Sequence, residues 1–282
     1  GRWTMKMNNM IVERIIENAL AEDMPFGDIT TDSIFTGKEK SEAVMIAKEA
    51  GVVAGLWVAA MVFRKIDEEV IFLEAVEEGA RVEAGTIIAK ISGRSASLLK
   101  GERVALNLLQ RMCGIATITR RFADKLVSTE TVIADTRKTT PGLRILEKYA
   151  VRTGGGTNHR FSLSDAVMIK DNHIKAAGGI REAVLRVRKS IPHTASVEVE
   201  TTNLDEVKEA LEAGADIIML DNMDRDTIAK AVEIIGKKAV TEVSGNVTED
   251  NVLEKAIKGI DIISSGSLTH SVRSMDISMR FV

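Results

Sequence analysis

The 282-residue chain has 45% hydrophobic and 28% charged residues and a net charge of −3. That balance suits a folded globular protein and gives no general reason to bind nucleic acid. No apolar run reaches the ~18 residues of a membrane span, the start lacks a signal-peptide core, and one cysteine with four scattered histidines forms neither an internal disulfide nor a visible zinc cluster. These features predict a protein of the reducing cytoplasm.

Residues 9–22 have helical spacing, with Ile11, Ile15, Ile16 and Leu20 on one face. A turn-rich FGDITTD follows. Residues 42–48 and 51–55 read as strands, 57–66 as a helix, and VIFLEAV and RVEAGTIIAKISG as further strands. This mixture predicts an α/β sandwich domain over residues 5–113. From Leu98 a long helical stretch begins, and Gly101 and Gly114 are expected to break it into two or more helices. The domain boundary is expected at Cys113 or Gly114, with Cys113 packed in an apolar stretch.

Beyond it the chain repeats. TVIAD (131–135), AVMIK (166–170), SVEVE (196–200), DIIML (216–220), AVTEV (239–243) and DIISS (261–265) read as short strands, with helical segments between most of them. Asn203, Asp224 and Thr248 are expected N-caps, and Gly214 and Gly259 expected C-caps. Six strands of this kind predict a parallel barrel or a doubly wound sheet. Asp135, Lys170, Glu200, Asp221, Ser244 and Ser264 lie at or just past the C-terminal strand ends. A barrel would bring all six onto one face, which favours the barrel, over residues 114–271.

Charge is concentrated too. Between Asp135 and Lys175 the chain is +4, so the remainder is −7, a pattern that points to a small polyanion. Some of these residues have plainer readings. Arg144, Lys148 and Arg152 at spacing four suit a solvated helix face. His173 suits a surface or capping role, and His193 and His270 a structural one.

ERVALNLLQRMCGIAT (102–117), DTRKTTPGLRILEKYAV (135–151), GGGTNHRFSLSDAVMIKDNH (154–173), VEVET (197–201) and MLDN (219–222) together resemble the quinolinate phosphoribosyltransferase family. The resemblance covers nearly the whole chain. It implies an N-terminal α/β sandwich, joined by a C-terminal tail (272–282), and an incomplete TIM-like α/β barrel. It also implies a homodimer in which Arg103 is lent across the interface, and leaves higher assembly open. The implied reaction joins quinolinate to phosphoribosyl pyrophosphate with loss of carbon dioxide. Arg137, Lys138, His159, Arg160 and Lys170 match the family's basic substrate contacts. Glu200 and Asp221 match its acidic pair. Ser244, Gly245, Ser264 and Gly266 fall where the family holds the ribose 5-phosphate. Where many relatives have SGG, this chain has Asn246 after Gly245.

The chemistry asks for such residues. Planar guanidinium groups pair with carboxylates, so Arg103, Arg137 and Arg160 are natural readers of a diacid, and Lys138 suits pyrophosphate. Mg2+ would gather the pyrophosphate oxygens, with Glu200 and Asp221 as its ligands directly or through water. Lys138, Glu200 and Asp221 are the expected catalytic residues. A nicotinate phosphoribosyltransferase, the related protein associated with molybdate transport, and a noncatalytic barrel binding phosphorylated ligands are the competing readings.

Overall fold

The structure, a computed structural model, describes residues 9–282. The expected start of the first domain at residue 5 lies outside them. The chain forms two compact units. One takes the chain through Ile118 together with Thr140–Gly154 and Val272–Val282; the other is Thr119–Thr139 with Gly155–Ser271.

The first unit opens with α1 (Asn9–Asp23). Its buried stripe runs through Val12 and Ile16, one turn apart. Ile11, assigned to the inner face from the sequence, is exposed. Next comes α2 (Ile29–Ile34), whose first turn is capped by the Asp28 carboxylate accepting the Thr31 amide at 3.0 Å. Then follow β1 (Lys40–Ala47), β2 (Gly51–Val52), α3 (Leu56–Ile66), β3 (Ile71–Glu74), β4 (Arg81–Val82) and β5 (Ile87–Arg94). Leu56, Val58, Val62 and Phe63 of α3 are fully buried, and burying a side chain the size of Phe63 contributes about 2–3 kcal/mol.

One continuous 32-residue helix, α4 (Ser95–Leu126), replaces the broken stretch expected from the sequence. The expected domain boundary at residue 113 therefore falls inside a helix. Its glycines serve close approach rather than termination. A Cβ on Gly101 would sit 2.7 Å from the Phe63 ring, and one on Gly114 would collide with the Arg273 carbonyl oxygen. Cys113 is fully buried, and burial pushes its thiol up to about 12. The helix α5 (Arg144–Thr153) belongs to the first unit, although the sequence reading placed it in the barrel domain. The solvated stripe expected along it does not hold at Lys148, which is 1% exposed.

The second unit carries β6 (Val132–Ala134), β7 (Val167–Ile169), α6 (Asp171–Ala177), α7 (Ile180–Ser190), β8 (Val197–Thr201), α8 (Leu204–Glu212), β9 (Ile217–Asp221), α9 (Arg225–Ile235), β10 (Val240–Ser244), α10 (Val252–Lys255), β11 (Ile262–Ser264) and α11 (Ser267–His270). Its six strands are parallel and lie in the order β6-β11-β10-β9-β8-β7. The last strand pairs with the first, so the sheet curls into a ring left open between β6 and β7. A doubly wound sheet would not place its first and last strands side by side, and this is an incomplete α/β barrel. Asn203 and Asp224 cap α8 and α9. Thr248 does not start a helix. Its amide donates to Asn251 Oδ1 at 2.8 Å in a turn, and α10 is a single turn.

The chain ends with β12 (Ile277–Phe281), which pairs antiparallel with β1 and completes a four-stranded sheet, β12-β1-β5-β3, in the first unit.

Candidate active site

Strand alternation decides what faces the barrel lumen. In β8, Val197 and Val199 are fully buried on one side while Glu198 and Glu200 point to the other. The register sets Glu200 and Glu242 on either side of Met219, and Ser244 beside Asp221 one rung higher. Thus the C-terminal ends of the strands open onto a cavity of about 800 Å³. Arg137, Lys138, His159, Arg160, Lys170, Glu200, Asp221, Ser244, Gly245, Ser264 and Gly266, all assigned from the sequence, line it. Arg103 does not; it is exposed on α4 of the first unit.

A second cavity of about 880 Å³ opens at the opposite strand ends, around Asp216, Val240 and Asp261. Its lining sets Lys208, Lys237 and Lys238 against Glu130, Glu212, Asp216 and Asp261. The acids exceed the lysines by one, so the charges nearly balance, and the cavity lies on the face that serves stability in barrels.

The segment 157–160 enters along the open seam. Thr157 bridges to Ala134 of β6 in parallel register. The fully buried Asp135 then anchors the turn, accepting the His159 amide at 2.8 Å and Asn158 Nδ2 at 2.6 Å. This sends the His159 ring inward, where Nε2 lies 2.9 Å from Glu198 Oε2 and 3.6 Å from Glu242 Oε2. Burial alone would lower the His159 pKa. The hydrogen bonds and charges of Glu198 and Glu242 outweigh it and raise the ring to about 10. Glu198 is itself raised, by burial and by the neighbouring Glu242.

Two poles of charge share the cavity. Burial and the adjacent Arg137 lower the Arg160 pKa, with Glu198 and Asp165 pulling the other way, so two guanidinium groups lie close together at this pole. Burial and the Asp221 carboxylate raise Glu200, with Lys170 pulling the other way. A structure that keeps like charges together stores work that a ligand of opposite charge releases. Arg160 is held in place by its donation to the Ala166 carbonyl at 3.0 Å.

Of the two glycines expected at the phosphate end, Gly245 is required by its backbone and Gly266 makes room for two side chains. Gly245 has φ +91°, and a Cβ would run into the Asn222 side chain. At Gly266 a Cβ would sit 2.7 Å from Lys138 Cδ and 2.8 Å from His270 Cδ2. Ser264 is 2% exposed, and its hydroxyl has no hydrogen-bond partner among the described residues.

Several functional neighbours were missed in the sequence. Glu198 and Glu242 hold His159, although the alternation V-E-V-E already placed Glu198 on the same face as Glu200. His270, read as structural, lines the cavity beside Lys138. His173 does act as a cap, its Nδ1 accepting the Lys170 amide at 3.0 Å.

Arginines and lysines, a carboxylate pair and a serine–glycine end, gathered at the C-terminal mouth of an α/β barrel, define a site for small, strongly anionic substrates. The comparisons with known proteins agree. Residues 28–113 match the family model for the quinolinate phosphoribosyl transferase N-terminal domain, and residues 115–280 that for its C-terminal domain. The chain is 44% identical to the probable nicotinate-nucleotide pyrophosphorylase (carboxylating) of Bacillus subtilis (strain 168), covering 97% of this chain and 94% of that protein. It is 41% identical to quinolinate phosphoribosyltransferase (decarboxylating) 1b of Nicotiana tabacum, over 94% of this chain and 81% of that one. The crystal structure of NadC from Streptococcus pyogenes superposes with a TM-score of 0.95 at 42% identity, covering 99% of this chain and all of that one. The chain belongs to the quinolinate phosphoribosyltransferase family.

Proposed function

We propose that this chain transfers the phosphoribosyl group of 5-phosphoribosyl 1-pyrophosphate to quinolinate with decarboxylation, giving nicotinate mononucleotide, pyrophosphate and carbon dioxide. The observation that carries this reading is the division of one cavity into an arginine pole and a carboxylate pole. A diacid needs the first, and a sugar that becomes positive needs the second.

Arg137 and Arg160, with Lys170 and the His159 ring, hold the two carboxylates of quinolinate. Ser244, Gly245, Ser264 and Gly266 take the 5-phosphate, and Lys138 reaches the pyrophosphate. Glu200 and Asp221 face the anomeric carbon and stabilise the charge that develops as pyrophosphate departs. The pyridine nitrogen supplies the electron pair for the new C–N bond. The resulting pyridinium accepts the electrons of the breaking carbon–carboxylate bond, and the carbanion left at that ring carbon takes up a proton. The protein's contribution is to position and neutralise, so no covalent nucleophile is needed.

Two carboxylates on neighbouring strands, open to a cavity that would also contain phosphate oxygens, fit Mg2+, which keeps few protein ligands and shares phosphates. When bound, the ion would neutralise pyrophosphate charge, held by Glu200 and Asp221 directly or through water. We also propose a homodimer in the cytoplasm, with Arg103 completing the partner's diacid site. The exposure of Arg103 and of the apolar Phe26, Ile29 and Ile34 supports an interface on the first unit. No helix among the described residues is long and apolar enough to cross a membrane.

Purified protein with quinolinate, phosphoribosyl pyrophosphate and Mg2+ is expected to release carbon dioxide and pyrophosphate in equal amounts and to leave nicotinate unused. Product from nicotinate alone would overturn the diacid reading.

A further inference from the structure

Asn246 follows Gly245 in the loop after β10, and it takes a glycine-like conformation, with φ +49°. Asn222, which follows Asp221, does the same at φ +52°. They are the two non-glycine residues of positive φ among the described residues, and both line the cavity. Their side chains meet, Asn246 Nδ2 donating to Asn222 Oδ1 at 3.1 Å. The other end of the Asn222 amide, Nδ2, donates to Asp221 Oδ2 at 3.1 Å. On the far side, Asn251 Nδ2 donates to the Asn246 carbonyl at 2.8 Å. The backbones are joined as well, the Asn222 amide donating to the Ser244 carbonyl at 3.1 Å.

We propose that Asn222 and Asn246 are positioning residues: two side-chain amides in series tie the phosphate loop after β10 to the Asp221 carboxylate at the end of β9. This rests on the function proposed above. A double glycine would let the loop close on phosphate but carry nothing from it. Asn246 keeps the permissive backbone and adds a link, so that the loop that takes the 5-phosphate also fixes the acid facing the anomeric carbon. An amide that donates to one carboxylate oxygen fixes the plane of the group. A fixed orientation is what a group stabilising developing positive charge requires.

Asn246→Gly and Asn222→Gly test this cleanly, since glycine accepts both backbone conformations without strain. Turnover of the wild-type enzyme with quinolinate is measured first; its absence would overturn the proposed reaction, and the role assigned to the relay with it. Given wild-type turnover, each variant is expected to lose about threefold to tenfold in kcat, the effect of one hydrogen bond. The KM for phosphoribosyl pyrophosphate and the calorimetric affinity for ribose 5-phosphate are expected to stay within about twofold. Because the amides act in series, the double variant is expected to be no slower than Asn222→Gly alone. A change in phosphate affinity at unchanged kcat, or kcat losses that multiply in the double variant, would overturn the relay.

Discussion

Replacing Glu198 by glutamine probes the most strongly perturbed base in the cavity. His159 is lifted from 6.5 to about 10, which corresponds to roughly 5 kcal/mol of preference for the imidazolium. The balance that produces it can be read from the geometry. Nε2 faces two carboxylates at 2.9 and 3.6 Å, whereas Nδ1 faces the Arg160 amide at 2.9 Å, a contact that favours the neutral ring. Unit charges at such separations are worth about 4 kcal/mol or more at the effective dielectric of a protein, and a single amide dipole gives less, so the carboxylates prevail. Glu198→Gln removes the nearer charge and leaves burial and the Arg160 amide opposed only by Glu242. The His159 pKa is then expected to fall to neutrality or below. The assay is an NMR titration of the imidazole resonances, tractable with four histidines in the chain. In the wild type, His159 is expected to remain protonated from pH 6 to 9. The sign for stability follows: a raised folded-state pKa stabilises fully below about 6.5, and that stability drains away as pH rises toward 10. The variant is expected to lose this part of the pH dependence and to show a quinolinate KM that climbs above pH 7. A wild-type His159 titrating near 6.5 would refute the reasoning and show that the Arg160 amide governs the ring.

Other outcomes follow from the same geometry. Asp221→Asn is expected to lower kcat by a factor on the order of 10² or more with little change in quinolinate KM, measured by carbon dioxide release. Arg160→Met removes one of the two neighbouring guanidinium groups and is expected to raise quinolinate KM by about 30-fold or more, with a smaller effect on phosphoribosyl pyrophosphate. Gly114→Ala reverses a familiar sign. An exposed helix would gain about 1 kcal/mol from alanine, but here the new methyl meets the Arg273 carbonyl oxygen, so thermal melting should show net destabilisation of about 1–3 kcal/mol. Cys113, fully buried with its thiol pushed up to about 12, is expected to react with a thiol reagent only under denaturing conditions.

The barrel was legible because each strand is a short β-branched run followed by a polar residue, and because that polar residue marks one end of a parallel strand. Glu200 and Asp221 could be placed on that logic, as could Lys170 and Ser244. The inward partners were harder to see. Glu198 and Glu242 become informative only once β8 and β10 are known to flank β9, since their sequence separation says nothing of their sharing one histidine. The continuity of α4 was hidden for another reason. Helix propensity counts Gly101 and Gly114 as breakers, while the structure uses their missing side chains as space for Phe63 and for the Arg273 carbonyl. Lys148 misled in the opposite direction, because spacing-four cations look solvated until tertiary packing encloses one of them.

The open seam between β6 and β7 has a bearing on how such a site could be transplanted. In a fully closed ring, side chains reach the lumen from the strands themselves or from loops above the rim. Here a stretch of irregular backbone enters from the flank, and His159 arrives at the level of the carboxylates on β8 and β10 rather than above them. Mending the ring with added strands would close that doorway. A designer grafting this chemistry onto a complete eight-stranded scaffold would have to find the histidine's position on a strand, or abandon it.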